Sequence, residues 1–175
     1  MRILGIETSC DETAAAVVED GRRLLSNVVA SSVDLHKAYG GVVPEIAARS
    51  HIEVIIPVID EALKTAKTDW QGIDAIAVTQ GPGLAGSLLI GVMTARSLAI
   101  TKNKPLYGIN HVEAHPYAAF ITENRSNQKL EISNQQPGFP MLALIVSGGH
   151  TQLVLFEAYS KYKVLGRTTD DAVGE

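Results

Sequence analysis

From Arg2 to Glu7 the chain opens on apolar and β-branched residues, and Ala14 to Glu19 repeats that character after the polar run Thr8-Ser9-Cys10-Asp11-Glu12-Thr13. The pattern predicts a hairpin whose corner carries hydroxyls and carboxylates. After Asp20-Gly21, Leu24 to Ser31 reads as a third strand, and Tyr39-Gly40-Gly41 loosens the chain before Pro44 opens a helix. Ile46, Ile52, Ile55, Ile56, Ile59 and Leu63 recur at helical spacing, with Pro57 expected to kink or divide that helix. Ile73 to Thr79 is a short buried strand. Gln80 to Ser87 forms a glycine-rich turn into an apolar helix ending near Thr101, and Pro105 to Ile109 is the next strand.

From Thr122 to Pro137 the chain turns to Asn, Gln, Ser and charged residues, with Leu130 and Ile132 the only apolar side chains. This predicts a surface excursion or a connection between domains. Met141 to Val146 is then a buried strand, Ser147-Gly148-Gly149-His150 a tight turn and Gln152 to Phe156 the return strand. The opening hairpin has the same plan, which predicts a duplicated hairpin and two similar α/β lobes facing one cleft.

Composition narrows the classes. With 46% apolar and 19% charged residues over 175 positions, the chain is globular in character. Pro57, Asp60 and Glu61 interrupt one apolar stretch and Arg96 the other, so no membrane helix is expected. No secretory leader is recognisable behind Met1, and the single Cys10 excludes an internal disulfide, so a soluble cytoplasmic chain is expected. A net charge of -4 argues against nucleic-acid binding through bulk electrostatics and for help from a partner. The chain stops at Gly174-Glu175 without a finished element, and is expected to be part of a longer protein.

His111 and His115 are the residues with the clearest chemical promise. On a helix their four-residue spacing places both imidazoles on one face, one turn apart, where they can share a metal ion. Zinc proteases of the His-Glu-x-x-His type place a general base directly after the first histidine; Val112 stands there, which disfavours that class. Pro116 is expected to bend the helix. A solvated helix face is the alternative for the pair. Ser147 to His150 suits an anion, because adjacent glycines let backbone N–H groups approach it closely, although a plain hairpin turn is equally served. Asp11 and Glu12 occupy the corresponding corner of the first hairpin, as solvated turn residues or as acids facing a substrate. Gly81 to Gly86 lacks the Lys and Ser/Thr of a P-loop, and Gly86, Gly91 and Ala95 predict close helix packing. His36, His51 and Cys10 have no partner identifiable from sequence.

Five segments occur together and in order: Gly5 to Thr13, Tyr39 to Glu45, Gly81-Pro82-Gly83-Leu84, Asn110 to His115, and Val146 to Thr151. Each is weak alone. Together they make the chain resemble the tRNA adenosine threonylcarbamoyltransferase family, once described as O-sialoglycoprotein endopeptidases, within the actin-like ATPase (ASKHA) superfold. The resemblance spans nearly the whole chain. It implies an α/β actin-like first lobe over residues 1–121, a polar connection over 122–140 and the start of a second lobe over 141–175. It implies transfer of the threonylcarbamoyl group from threonylcarbamoyl-AMP to the N6 amine of the adenosine beside the anticodon, in tRNAs reading codons that begin with A.

Carried over by position, His111 and His115 match metal ligands. Val146, Ser147, Gly148, Gly149 and His150 match the segment that binds the adenylate, and Asp11 and Glu12 match acidic residues important for activity. A further metal-binding aspartate and a substrate-binding aspartate belong to a C-terminal half beyond Glu175. The two-histidine-one-carboxylate set implies one divalent metal ion, Fe2+ favoured and Zn2+ the alternative. Implied partners are tRNA, an actin-like paralogue and an accessory ATPase of the same modification pathway, with self-association as a further expectation. The rival readings are a non-catalytic actin-like scaffold paralogue, a small-molecule kinase of the same superfold and a metalloprotease.

Overall fold

The computed structural model describes residues 1–123, 138–146 and 151–169. By its internal contacts the chain divides into two units. One holds Met1–His111 and the described residues from 121; the other holds Val112–Phe120 and the described residues from 138.

The first unit begins with an antiparallel meander of β1 (Arg2–Glu7), β2 (Glu12–Glu19) and β3 (Arg23–Ser31), in which Gly5 faces Ala16 and Ala15 faces Val28. Asp20 and Gly21 have φ of 53° and 69°, and the Arg22 N–H donates to the Glu19 carbonyl at 3.1 Å, so β2 and β3 join through a tight turn with two left-handed central residues. A single turn, α1 (Val33–His36), and a 3-10 turn at Lys37–Tyr39 lead to α2 (Pro44–Thr65). Then follow β4 (Ala75–Gly81), α3 (Ala85–Lys102) and β5 (Leu106–Asn110). The two-residue β6 (Thr122–Glu123) pairs parallel to β3 and completes a six-stranded sheet of order β5-β4-β1-β2-β3-β6. Strands β1, β4 and β5 run parallel side by side, so their C-terminal ends lie together at one edge of the sheet.

The core of this unit joins Leu4, Ile6, Ala15 and Val17 of the meander to Ile76 and Val78 of β4, under α2 and α3. Helix α2 turns Ala47, His51, Ile55, Val58, Ile59, Ala62 and Leu63 inward. Its buried stripe differs from the one expected, because Ile52 and Ile56 are exposed while His51 is fully buried. Pro57 lies inside one continuous helix and does not divide it. Both Pro57 and Glu53, whose carbonyl loses its helical partner there, are exposed, so water can satisfy the freed oxygen. Helix α3 buries Ser87, Gly91, Ala95 and Ala99, a stripe of small side chains that lets the helix approach closely. A Cβ on Gly91 would stand 2.2 Å from Thr8 Oγ1, and one on Gly86 would stand 3.3 Å from the Ala48 Cβ.

The second unit contains most of α4 (His111–Tyr117), a 3-10 turn at Ala118–Phe120, and a second antiparallel meander. Its strands are β7 (Met141–Val146), β8 (Thr151–Ala158) and β9 (Lys161–Arg167). The hairpin plan of β1 to β3 is thus repeated. Ile145, Val154 and Phe156 are buried, with Val112, Tyr117, Phe139, Met141 and Ala143 packed against them. Phe139 and Tyr159 meet edge to face at 4.7 Å between ring centres, and Tyr117 meets Phe156 the same way at 5.8 Å. Strand β9 lies beyond the elements predicted from sequence; it is exposed throughout, although Tyr162 and Val164 alternate with Lys161 and Lys163.

Candidate functional site

The corner Thr8 to Thr13 is held from three directions. From α3, the Ser87 Oγ donates to the Cys10 carbonyl at 3.1 Å, and the Thr8 hydroxyl donates to the Ser87 carbonyl at 2.9 Å. From α2, the buried His51 donates through Nε2 to the same Cys10 carbonyl at 3.0 Å, while its Nδ1 shares a 2.7 Å hydrogen bond with Thr13 Oγ1. From the end of β3, Ser32 gives both its N–H and its hydroxyl to the Asp11 carbonyl, at 3.1 and 2.7 Å. His36 continues that chain. The Val43 N–H donates to its Nδ1 at 3.2 Å, which leaves Nε2–H to donate to Ser32 Oγ at 3.1 Å. The two histidines without a partner in the sequence are therefore clamps on the acidic corner.

The glycine-rich loop closes the fourth side. Leu84 N–H donates to the Ser9 carbonyl at 2.8 Å, and a Cβ on Gly83 would lie 2.5 Å from that oxygen. The obstacle is backbone, which cannot swing aside. Gly83→Ala is expected to lower stability by about 1–3 kcal/mol, read as a lower urea midpoint; an unchanged midpoint would show that the loop can yield. Gly83 thus lets the loop pack closely against the Ser9 backbone.

Within this frame Asp11 is half-buried, and Glu12 is exposed as the first residue of β2, opposite Ser31. Cys10 offers little as a nucleophile: burial and the neighbouring Asp11 push its thiol above the ordinary value. Ser9 is the corner residue that meets the histidine helix, its hydroxyl 3.2 Å from His111 Nδ1. Glu7, at the end of β1, reaches the same nitrogen through Oε2 at 3.1 Å. The Glu7 carboxylate also accepts from the Thr79 hydroxyl at 2.5 Å and from the Ser9 backbone N–H. Burial alone would raise this carboxyl, but the hydrogen bonds from His111, Ser9 and Thr79 outweigh it and lower it to about 2. The hydrogen bond to Glu7 correspondingly raises His111, against the opposing effect of burial.

Ser9, His111 and Glu7 do not form a nucleophile relay. Such a relay uses one imidazole nitrogen for the serine and the other for the carboxylate, whereas here both oxygens sit on Nδ1. The protease reading weakens further at Val112, which packs against the aromatic core of the second unit where a zinc protease would need its glutamate. His111 and His115 lie on α4 one turn apart, directly after β5, and His115 is exposed. Among the described residues no group of three or more His, Cys, Asp or Glu is gathered for a metal. Of the adenylate segment, Val146 ends β7 and pairs with Thr151, whereas Ser147, Gly148, Gly149 and His150 lie outside the described residues. No described helix is long and apolar enough to cross a membrane.

Residues 23–175 match the family model described as tRNA N6-adenosine threonylcarbamoyltransferase. The chain belongs to that family. Curated proteins of the same name are 55% identical in Protochlamydia amoebophila and 57% identical in Thermomicrobium roseum, each over the whole chain. The chain spans about half the length of these relatives, 48% and 47% respectively. Among solved structures, YeaZ from Pseudomonas aeruginosa aligns with a TM-score of 0.53 at 15% identity, over 99% of this chain and 69% of that one. A second Pseudomonas aeruginosa structure, an uncharacterised protein with similarity to peptidase YeaZ, gives 0.55 at 16% identity, over 99% and 66%. At such identity the likeness concerns the fold, which is the actin-like α/β class.

Proposed function

We propose that this chain supplies the first lobe, and the opening meander of the second, of a transferase that moves the threonylcarbamoyl group from threonylcarbamoyl-AMP to N6 of the adenosine beside the anticodon in tRNAs reading A-starting codons. The observation that carries this reading is the family match over residues 23–175. The histidine pair at the C-terminal end of a parallel strand supports it, since open α/β sheets bind ligands there.

In the transfer, the N6 lone pair attacks the carbamoyl carbon, an N–C bond forms, the C–O bond to phosphate breaks and AMP leaves with the electron pair. A phosphate is a good leaving group, whereas an amine conjugated with its purine is a poor nucleophile, so positioning and removal of the N6 proton are the demanding parts. Asp11 or Glu12 would take that proton from the rigidly held corner. Gly148 and Gly149 N–H groups, with Val146, Ser147 and His150, would orient the adenylate phosphate.

Two imidazoles one turn apart, one of them already steadied by the half-buried Glu7 carboxylate, fit a divalent transition metal. His111 and His115 would hold it with a carboxylate from beyond this chain, Fe2+ being favoured over Zn2+. When bound it supplies Lewis acidity and a template for substrate oxygens.

The proposed partners are tRNA, an actin-like paralogue and an accessory ATPase. On the helical face of the first unit, the exposed pairs Ile52 and Ile56 on α2, and Leu89 and Met93 on α3, support a protein partner. Incubating the intact protein and its partners with labelled threonylcarbamoyl-AMP and unmodified tRNA tests the activity. Label is expected in tRNA; label released only as free threonine and carbonate would remove the transferase reading.

A further inference from the structure

The sequence directs attention to His111 and His115, yet the ionisable group hydrogen-bonded to His111 is Glu7, 104 residues away in the chain. Its position follows from topology. Glu7 ends β1, Thr79 lies near the end of the adjacent parallel β4, and His111 follows β5, the next strand outward. Three neighbouring strand ends therefore deliver a carboxylate, a hydroxyl and an imidazole to one place. We propose that Glu7 is a positioning residue for His111, fixing the ring in the tautomer that carries its proton on Nδ1 and its lone pair on Nε2, the nitrogen that would ligate a divalent metal.

The proton assignment follows from donor and acceptor counting. An ionised carboxylate can only accept, and Glu7 Oε2 already receives the Thr79 hydroxyl. A bare Nδ1 lone pair 3.1 Å from that oxygen would set two acceptors against each other, so the proton between them belongs to the imidazole, and the Ser9 hydroxyl oxygen, 3.2 Å from the same nitrogen, then serves as a second acceptor. The carboxylate cannot turn away without losing other bonds, because Thr79 holds one oxygen and the Ser9 N–H the other. Thr79 and Ser9 are themselves buried, which fixes the two groups that hold the carboxylate in place beside the half-buried imidazole. This is the arrangement by which a carboxylate orients a metal-binding histidine and raises its basicity as a ligand. Glu7 thereby acts through His111, without touching metal or substrate.

The inference rests on the metal reading given above, and the test separates the two. Zn2+ affinity is measured by chelator competition on the intact protein, its His111→Ala variant and its Glu7→Gln variant, with thermal melts as a folding check. Glu7→Gln is expected to bind Zn2+ about 10–100-fold more weakly than wild type. If wild type binds no more tightly than His111→Ala, the metal reading falls and this inference with it. If wild type binds tightly and folded Glu7→Gln matches it, only the role of Glu7 is overturned. Nitrogen-15 spectra of the metal-free wild type, recorded where the imidazole is neutral, decide the matter even if Glu7→Gln does not fold. A protonated Nδ1 on His111 is expected, and a protonated Nε2 would overturn the assignment.

Discussion

Replacing His111 and His115 together by alanine is expected to abolish stoichiometric metal in the intact protein. Each single replacement is expected to weaken binding by more than about 100-fold, beyond the range of about 10–100-fold typical of groups that only support a ligand. Two independent routes make the effect large. Loss of either imidazole removes a direct donor, and His111→Ala also leaves the Glu7 carboxylate half-buried without its imidazole partner. The two variants should differ in their effect on the fold. His115 is exposed on a short helix, so His115→Ala is expected to change stability by less than about 0.5 kcal/mol. His111→Ala should be measurably less stable. Metal content by elemental analysis, alongside urea unfolding, separates these effects, and undiminished metal in the double variant would sink the ligand assignment.

The largest expected loss of stability is at Ile76. It is fully buried in β4, facing Leu4 across the parallel pairing with β1 and Leu106 across that with β5. Both flanking strands carry parts of the site. Ile76→Ala removes three carbons where sheet and helices already fill the space, and is expected to cost about 2–5 kcal/mol. Against a typical domain stability of about 5–15 kcal/mol, this is a large fraction. Ile56→Ala, on the exposed face of α2, provides the control and should cost less than about 1 kcal/mol. Equal urea midpoints for the two variants would contradict the assigned core.

The elements that the sequence made legible are those with one clear face. Strand β1 is apolar and β-branched, and α2 repeats apolar residues at helical spacing from Ile46 to Leu63, so both are readable from apolar positions alone. Helix α1 has four residues and β6 two, too short to show a period. On α2, Ile55, Ile59 and Leu63 face inward as their spacing predicts, whereas Ile52 and Ile56 face outward and a core place is taken by the polar His51. Its signal was nonetheless present, four residues from Ala47 and four from Ile55. The histidine pair could be picked out because its two members are neighbours in sequence. Glu7 could not be assigned to it on spacing, since only the strand order joins them. The cue available was an acidic residue ending an apolar strand immediately before a hydroxyl-rich corner.

That corner is secured by contacts from far along the chain. Cys10 is tied to His51 and Ser87, 41 and 77 residues away, and Thr8 to Ser87 over 79 residues. Long loops must close before any of these bonds can form, so these anchors of the acidic turn exist only where both long helices lie against the sheet. The strands of the meander pair through local contacts, whereas the chemistry-bearing corner of the same hairpin also depends on two helices far along the chain.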